Sequence, residues 1–224
     1  MKVIIFGASR LASLLWYCLS QDSTHEVVGF TVDALHRQGV ALHGLPLVDF
    51  EAVEQHFPPP DHAMIVALGI TDMNGLRRAR CTAARNKGYS LASYVSSRAM
   101  IWPDLKIGDN CLIFDGVILQ PFTTLGEGVI VRSGVHISHH NTISDFCFIG
   151  PRACLGGSVT IGERCFIGLN AMVCPGVSIG DRCFVAAGAT LNRDADGDHM
   201  YIGVPARRRP LPTGGSREIA AASS

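Results

Sequence analysis

From Val95 to Leu191 every sixth residue is aliphatic, without a single insertion: Val95, Ile101, Ile107, Ile113, Leu119, Leu125, Val131, Ile137, Ile143, Ile149, Leu155, Ile161, Ile167, Val173, Ile179, Val185 and Leu191. Four places after each of these the residue is small or apolar, from Ala99, Leu105 and Cys111 through to Ala195, and Asn141 is the conspicuous exception. A strict six-residue register predicts a three-sided parallel β-helix, in which three hexads make one coil of eighteen residues and stacked coils pair as strands ~4.8 Å apart. The aliphatic and small positions fill its interior. Glycine often follows the aliphatic residue, as at Gly108, Gly126, Gly150, Gly156, Gly162, Gly168 and Gly180. A tight corner needing positive φ is the expected reason.

The repeat occupies slightly less than the second half of 224 residues, so two domains are expected. Lysine plus arginine equals aspartate plus glutamate at 19 each, which argues against a global field drawing the protein to nucleic acid or an anionic membrane. No apolar run approaches the ~18 to 20 residues of a spanning helix, and Met1 to Gly7 reads as a strand and turn, not a cleavable leader. A cytoplasmic protein without membrane or nucleic-acid partners is the expectation. The eight cysteines form no CxxC pair. Cys111, Cys147, Cys165 and Cys183 fall on the inward small-residue position, where a thiol packs as a small hydrophobe; Cys154 and Cys174 do not.

Before the repeat, residues 2 to 6 form a β-branched run that ends in a Gly7-Ala8-Ser9-Arg10 turn, and Leu11 to Leu19 carries a helical pattern. Further strands are expected at Glu26 to Val32, ending at Asp33, and at Ala63 to Leu68, ending at Gly69. Asp49 to Phe57 reads as helical and is stopped by three prolines; Met73 to Lys87 reads as an amphipathic helix capped by Gly88. The order implies a small open parallel sheet with helices. Domains follow as 1–94, a Rossmann-like sugar- or nucleotide-binding unit; 95–206, the β-helix; and 207–224, a tail poor in core residues and expected to be disordered. The first turn matches the dinucleotide fingerprint only by half, because serine and alanine stand where the second and third glycines belong. Ser9, Asp33 and Gly69 nonetheless fall at carboxyl ends of parallel strands, where open α/β sheets place ligands.

Near the middle of the repeat stands the pair His139 and His140. The hexad puts Ile137 inside and His139 on the flat outer face, and since 139 plus 18 is 157, Gly157 lies one coil further on the same face. An imidazole and an unobstructed backbone amide then face each other across one strand spacing. Such a pair suits acyl transfer: the imidazole takes a proton from an attacking amine or hydroxyl, and the amide stabilises the oxyanion formed at the acyl carbonyl. The bland alternative is a pair of solvated surface histidines. A metal site built on His136, His139 and His140 is disfavoured, because zinc needs three or four converging ligands and the repeat holds no other histidine.

The stretch His139 to Phe146, followed by Gly156-Gly157-Ser158-Val159-Thr160-Ile161-Gly162, Phe166 to Asn170 and Gly203-Val204-Pro205-Ala206, resembles the sialic-acid and bacillosamine acetyltransferase family of hexapeptide-repeat acyltransferases. Phe6 to Ser9, Phe30 to Asp33 and Leu68-Gly69, with Asn74 and Arg77, resemble the same family's sugar-binding domain. The resemblance implies a left-handed coil, a homotrimer, acetyl-CoA lying between adjacent β-helices and no metal. It also implies a nucleotide sugar held near Ser9, Arg10, Asp33, Gly69, Asn74 and Arg77. It places the general base at His139, the thioester contact at Gly157, and further CoA contacts near Phe148, Leu169 and Ala187. Two positions depart from the family. Where an acidic residue often follows the base this chain has His140, so a carboxylate partner comes from elsewhere, with Asp145 the candidate, or is absent; Phe148 replaces a polar CoA contact.

The expected function is a CoA-dependent acyltransferase acetylating an amine of a nucleotide-linked sugar by direct attack on the thioester, with catalysis at His139, His140 and Gly157. O-acetylation of a sugar hydroxyl and a non-catalytic trimeric scaffold are the alternatives.

Overall fold

The computed structural model describes residues 1–211. An α/β unit opens the chain, with strands β1 (Lys2–Phe6), β2 (Glu26–Val32), β3 (Ala41–Leu42), β4 (Leu45–Asp49), β5 (Ala63–Val66) and β6 (Ser90–Leu91) in the order β3-β4-β2-β1-β5-β6. All neighbours run parallel except β3 and β4, which form a hairpin. Helix α1 (Arg10–Gln21) follows β1, a short helix α2 (Val53–His56) follows β4, and α3 (Gly75–Asn86) follows β5. The strand sequence turns back on itself at β1, between β2 and β5, so the carboxyl ends of these three strands border the crevice of an open sheet. The Asp49 to Phe57 segment supplies much less helix than expected: a 3-10 turn, Phe50–Ala52, precedes four α-helical residues.

From Tyr94 onward the chain winds a left-handed parallel β-helix whose three faces are stacks of two-residue strands. The first face runs from Tyr94–Val95 through Ile130–Val131 and Phe148–Ile149 to Phe184–Val185; the second includes His136–Ile137, Cys154–Leu155 and Met172–Val173; the third includes Thr142–Ile143 and Thr160–Ile161. Paired residues are eighteen apart, as in His136 with Cys154 and Thr142 with Thr160. Both inward positions are filled as the repeat demands. Ile113 through Val185 and the second-position residues Cys111, Val117, Val129, Cys147, Ala153, Val159, Cys165 and Cys183 are buried in one continuous core. The inward thiols also donate to carbonyl oxygens, Cys147 to Gly162 at 3.0 Å and Cys165 to Gly180 at 3.1 Å.

The glycines that follow the aliphatic residue serve a different purpose from the one expected. Gly108, Gly126, Gly150, Gly156, Gly162, Gly168 and Gly180 do not have positive φ; a Cβ at Gly156 would stand 2.6 Å from the Pro175 nitrogen, and at Gly168 2.5 Å from the Ala187 nitrogen. They are glycines so that successive coils can touch. The left-handed residue comes two places later in each hexad, at Asn110, Phe122, His140, Phe146, Arg152, Ser158, Arg164, Asn170 and Arg182, with Gly116, Gly128, Gly134, Gly176 and Gly188 continuing the series.

The two units share core. Val3, Ile5, Ala12, Leu15 and Phe30 pack with Tyr94, Leu112, Phe114 and Ile130 on the first face. Asn110 pairs with the backbone of Val66 as a strand would, accepting from its N–H at 2.7 Å and donating to its carbonyl at 3.2 Å. At the carboxyl end His199–Ile202 adds to the first face, and Arg207–Pro210 pairs antiparallel with it. The expected tail therefore begins later than 207, because those four residues complete a hairpin; its remainder, 212–224, lies outside the described residues.

Candidate active site

The strand His136–Ile137 ends at Ser138, and His139, His140 and Asn141 carry the chain around the edge between the second and third faces. His139 thus stands on a corner and not on a flat face, since each hexad spends only two residues in strand and the rest in turning. The eighteen-residue spacing nevertheless brings His139 onto Gly157. A Cβ placed on Gly157 would lie 2.7 Å from His139 Cε1, 3.0 Å from Nε2 and 3.2 Å from Nδ1, so the imidazole occupies the space that only glycine leaves. The amides on either side of Gly157 are used in coil stacking, Gly156 donating to Val173 and Ser158 to the His139 carbonyl, both at 2.9 Å. The Gly157 N–H itself finds no acceptor among the described residues.

Asn141 explains its own exception to the apolar rule. It is fully buried, and its side-chain amide donates to the carbonyls of Ser138, His139 and Gly156 while its oxygen accepts from Val159 N–H at 3.0 Å. The asparagine clamps the backbone of the histidine corner to the next coil. Asp145 is not the partner of His139: six residues on is one corner on, and its carboxylate accepts from Glu127 N–H at 2.8 Å. The group that meets His139 is His140, with 3.0 Å between the two Nδ1 atoms. His136 lies on the second face and bonds Ser138, so the three histidines do not converge.

A second feature is a crevice of about 430 Å³ at the carboxyl ends of β1, β2 and β5. Gly7, Ser9, Asp33 and Leu68 border it, joined by His36, Gln38 and Leu42 from the segment between β2 and β4. Ser9 caps α1, its Oγ accepting from Ala12 N–H at 3.5 Å, and Asp33 pairs with Arg80 at 2.8 Å. The sequence reading missed β3, β4 and therefore their crevice residues, because Pro46 and Gly44 interrupt any alternation there. Arg10 opens α1 exposed to solvent and does not border the crevice; Gly69 follows Leu68 just outside it.

Asn74 and Arg77 are removed from the expected substrate set. Both are fully buried. Arg77 donates to the carbonyls of Gly128, Leu68, Gly69, Phe146 and Cys147 and to the Asn74 side chain, which itself reaches Cys165 O at 3.1 Å. Burial pushes the guanidinium down to about 10, which leaves it cationic at neutral pH with every direction of its donor fork occupied. These two residues bolt the domains together.

The expected CoA residues are likewise redistributed. Phe148 sits on the first face, half-buried between both domains and stacked on Phe166 at 5.5 Å. Leu169 and Ala187, eighteen apart, share the edge between the first and second faces, and Leu169 is half exposed. From Gly157 to Leu169 is twelve residues, two-thirds of a coil. One chain therefore does not bring them to His139.

Comparison with known proteins agrees with this architecture. The model of the bacterial transferase hexapeptide matches residues 95–139, and that of the hexapeptide repeat of succinyl-transferase matches 158–193. Those two stretches of the β-helix are thus similar to the hexapeptide-repeat transferases. Among solved structures it resembles GDP-perosamine N-acetyltransferase of Caulobacter crescentus, crystallised with CoA and GDP-perosamine, at 28% identity over 94% of this chain and 98% of that one, with a TM-score of 0.85. The acetyltransferase domain of PglB from Neisseria gonorrhoeae, in complex with acetyl coenzyme A, shares the fold at 24% identity over 93% and 98% of the two chains, with a TM-score of 0.82. No curated protein matches by sequence. Among the described residues of this hexapeptide-repeat chain no helix is long and apolar enough to cross a membrane.

Proposed function

We propose that His139 is the general base of a CoA-dependent acyltransferase and that the Gly157 amide receives the oxyanion. The protein transfers an acyl group, acetyl in the simplest case, from CoA to the amine of a nucleotide-linked sugar. The observation that carries the mechanism is the His139 ring seated over Gly157, whose N–H finds no acceptor among the described residues. The amine nitrogen attacks the thioester carbonyl; His139 accepts the proton the amine sheds, the C–S bond breaks, and the proton passes to the departing CoA thiolate. A preorganised donor at the developing oxyanion is worth ~10² to 10³ in rate. No covalent enzyme intermediate is required. An amine acceptor is favoured over a hydroxyl by the 28% identical perosamine enzyme, which is an N-acetyltransferase.

The sugar nucleotide fits the crevice at β1, where the amino end of α1 and Ser9 suit a phosphate and Asp33 a ribose hydroxyl. We also infer a homotrimer, a reading that the two edges support. The second face lies between the His139–Gly157 edge and the Leu169–Ala187 edge, and its outward column runs Met100, Ile118, His136, Cys154, Met172, with Met100 63% and Met172 50% exposed. Packing β-helices side by side covers this column and brings the Leu169 edge of one copy to the His139 edge of the next, so that CoA lies between copies. A cytoplasmic location matches the supply of acyl-CoA.

The test is CoA-thiol release from acetyl-CoA in the presence of nucleotide amino sugars. His139→Ala and His139→Asn are expected to lose ~10² to 10⁴ in kcat. Near wild-type turnover in both removes the assignment.

A further inference from the structure

His140 directly follows the proposed base, and its surroundings give it a defined task. The two imidazoles meet nearly at right angles, 87° between planes with centroids 5.1 Å apart, and with their Nδ1 atoms 3.0 Å apart. Two lone pairs cannot face each other at that distance, so one of these nitrogens carries the hydrogen. Each ring is held by its backbone: the His140 N–H donates to Pro121 O at 3.1 Å, and Asn141 clamps the His139 carbonyl. Phe122, one coil before His140 and also left-handed at φ 62, lies against the His140 ring with centroids 4.6 Å apart, and its own N–H is fixed by Asp104 at 2.6 Å. Phe122 is 64% exposed, so core packing does not account for it.

Resting on the assignment of His139 as base, we propose that His140 is its positioning residue: a neutral imidazole whose Nδ1 accepts a hydrogen bond from His139 Nδ1–H. That bond fixes the tautomer of His139 in which Nε2 keeps its lone pair for the amine proton. Phe122 holds the His140 ring at the angle that makes it an acceptor. The arrangement performs with two neutral rings what a carboxylate does elsewhere, orienting the base without placing an anion beside it.

Two substitutions separate this role from a structural one, because both tolerate the left-handed backbone of His140, φ 59. His140→Gly removes the acceptor, whereas His140→Asn supplies a side-chain oxygen in its place. His140→Gly is expected to lower kcat by about tenfold or more with KM for acetyl-CoA little changed, and His140→Asn to recover most of it. Nitrogen-15 NMR of the imidazoles near neutral pH is expected to show His139 protonated at Nδ1 in the wild type and His140→Asn, and a shift towards Nε2–H in His140→Gly. Wild-type kcat in His140→Gly, or a wild-type His139 protonated at Nε2, overturns the proposal. The NMR measurement needs no substrate, and an inactive His139→Ala beside a fully active His140→Gly would leave the base standing while removing its partner.

Discussion

Gly157→Ala tests the placement of the base more sharply than removing it. The new methyl carbon would stand 2.7 Å from His139 Cε1 and 3.0 Å from Nε2, against the ~3.5 to 4.0 Å of comfortable carbon contact. The imidazole must therefore withdraw by roughly 0.8 Å or swing away, while the Gly157 N–H, the proposed oxyanion donor, is retained. Gly157 does not have positive φ, so alanine is accepted by the backbone and the coil should stay folded. A misplacement of about 1 Å at a reacting group can cost ~10² in rate, equivalent to about 2.7 kcal/mol. The expected result is a fall in kcat of about a hundredfold, read as CoA-thiol release, with a thermal midpoint within a few degrees of wild type. Turnover within threefold of wild type, at unchanged stability, would refute the claim that the ring works from above Gly157.

Other consequences concern the frame. Arg77→Met strands several buried carbonyls that now share one guanidinium, and should destabilise the protein by about 3 to 5 kcal/mol, visible in denaturant unfolding. A loss of nucleotide-sugar affinity at unchanged stability would restore Arg77 to the substrate set. Burial raises the thiols of Cys81 and Cys111 to about 12, so a thiol reagent at pH 8 should spare these two until the protein unfolds. Ser97 and Ser96, with Tyr94, hold Asp22 down at about 2 by hydrogen bonds, so the stability it contributes is full above its unfolded value near 3.8 and declines as the pH falls towards 2. Asp22→Asn should flatten that part of the acid-unfolding curve.

The β-helix was legible because its period is a covalent fact of the chain, and the same period located Gly157 beside His139. What the period could not supply was the reason for each residue. Gly156 and Gly168 looked like sharp turns and are places of close stacking, since a missing side chain is the same letter for either need. Arg77 and Asn74 enter the substrate set only through the resemblance to a sugar-binding domain, and a polar residue carried over in that way reads alike whether it faces a sugar or a buried carbonyl. Asp145 was a plausible partner by proximity in sequence, yet six residues is a corner's distance in this fold, and the neighbour one residue away was the one in contact.

The geometry also gives a reason for chemistry at an edge. On the faces, amides are spent on coil-to-coil hydrogen bonds, so they are unavailable to a ligand. The residue two places after the aliphatic position is one exception, because there the chain is turning and no N–H at these positions joins the coil-to-coil ladder. At Glu127 and Glu163 that N–H is satisfied by the carboxylate one coil on, Asp145 and Asp181, each at 2.8 Å. At Gly157 the corresponding residue one coil on is Pro175, which has no side-chain acceptor, and one coil back is His139, whose ring covers the glycine without bonding its amide. Replacing Pro175 with aspartate would copy the Asp145 arrangement onto the proposed oxyanion donor. Pro175→Asp should thus lower kcat by up to ~10² to 10³, the worth of one donor, and leave the His139–His140 contact intact. Undiminished turnover in a folded Pro175→Asp protein would show that the Gly157 amide is not the group that receives the oxyanion.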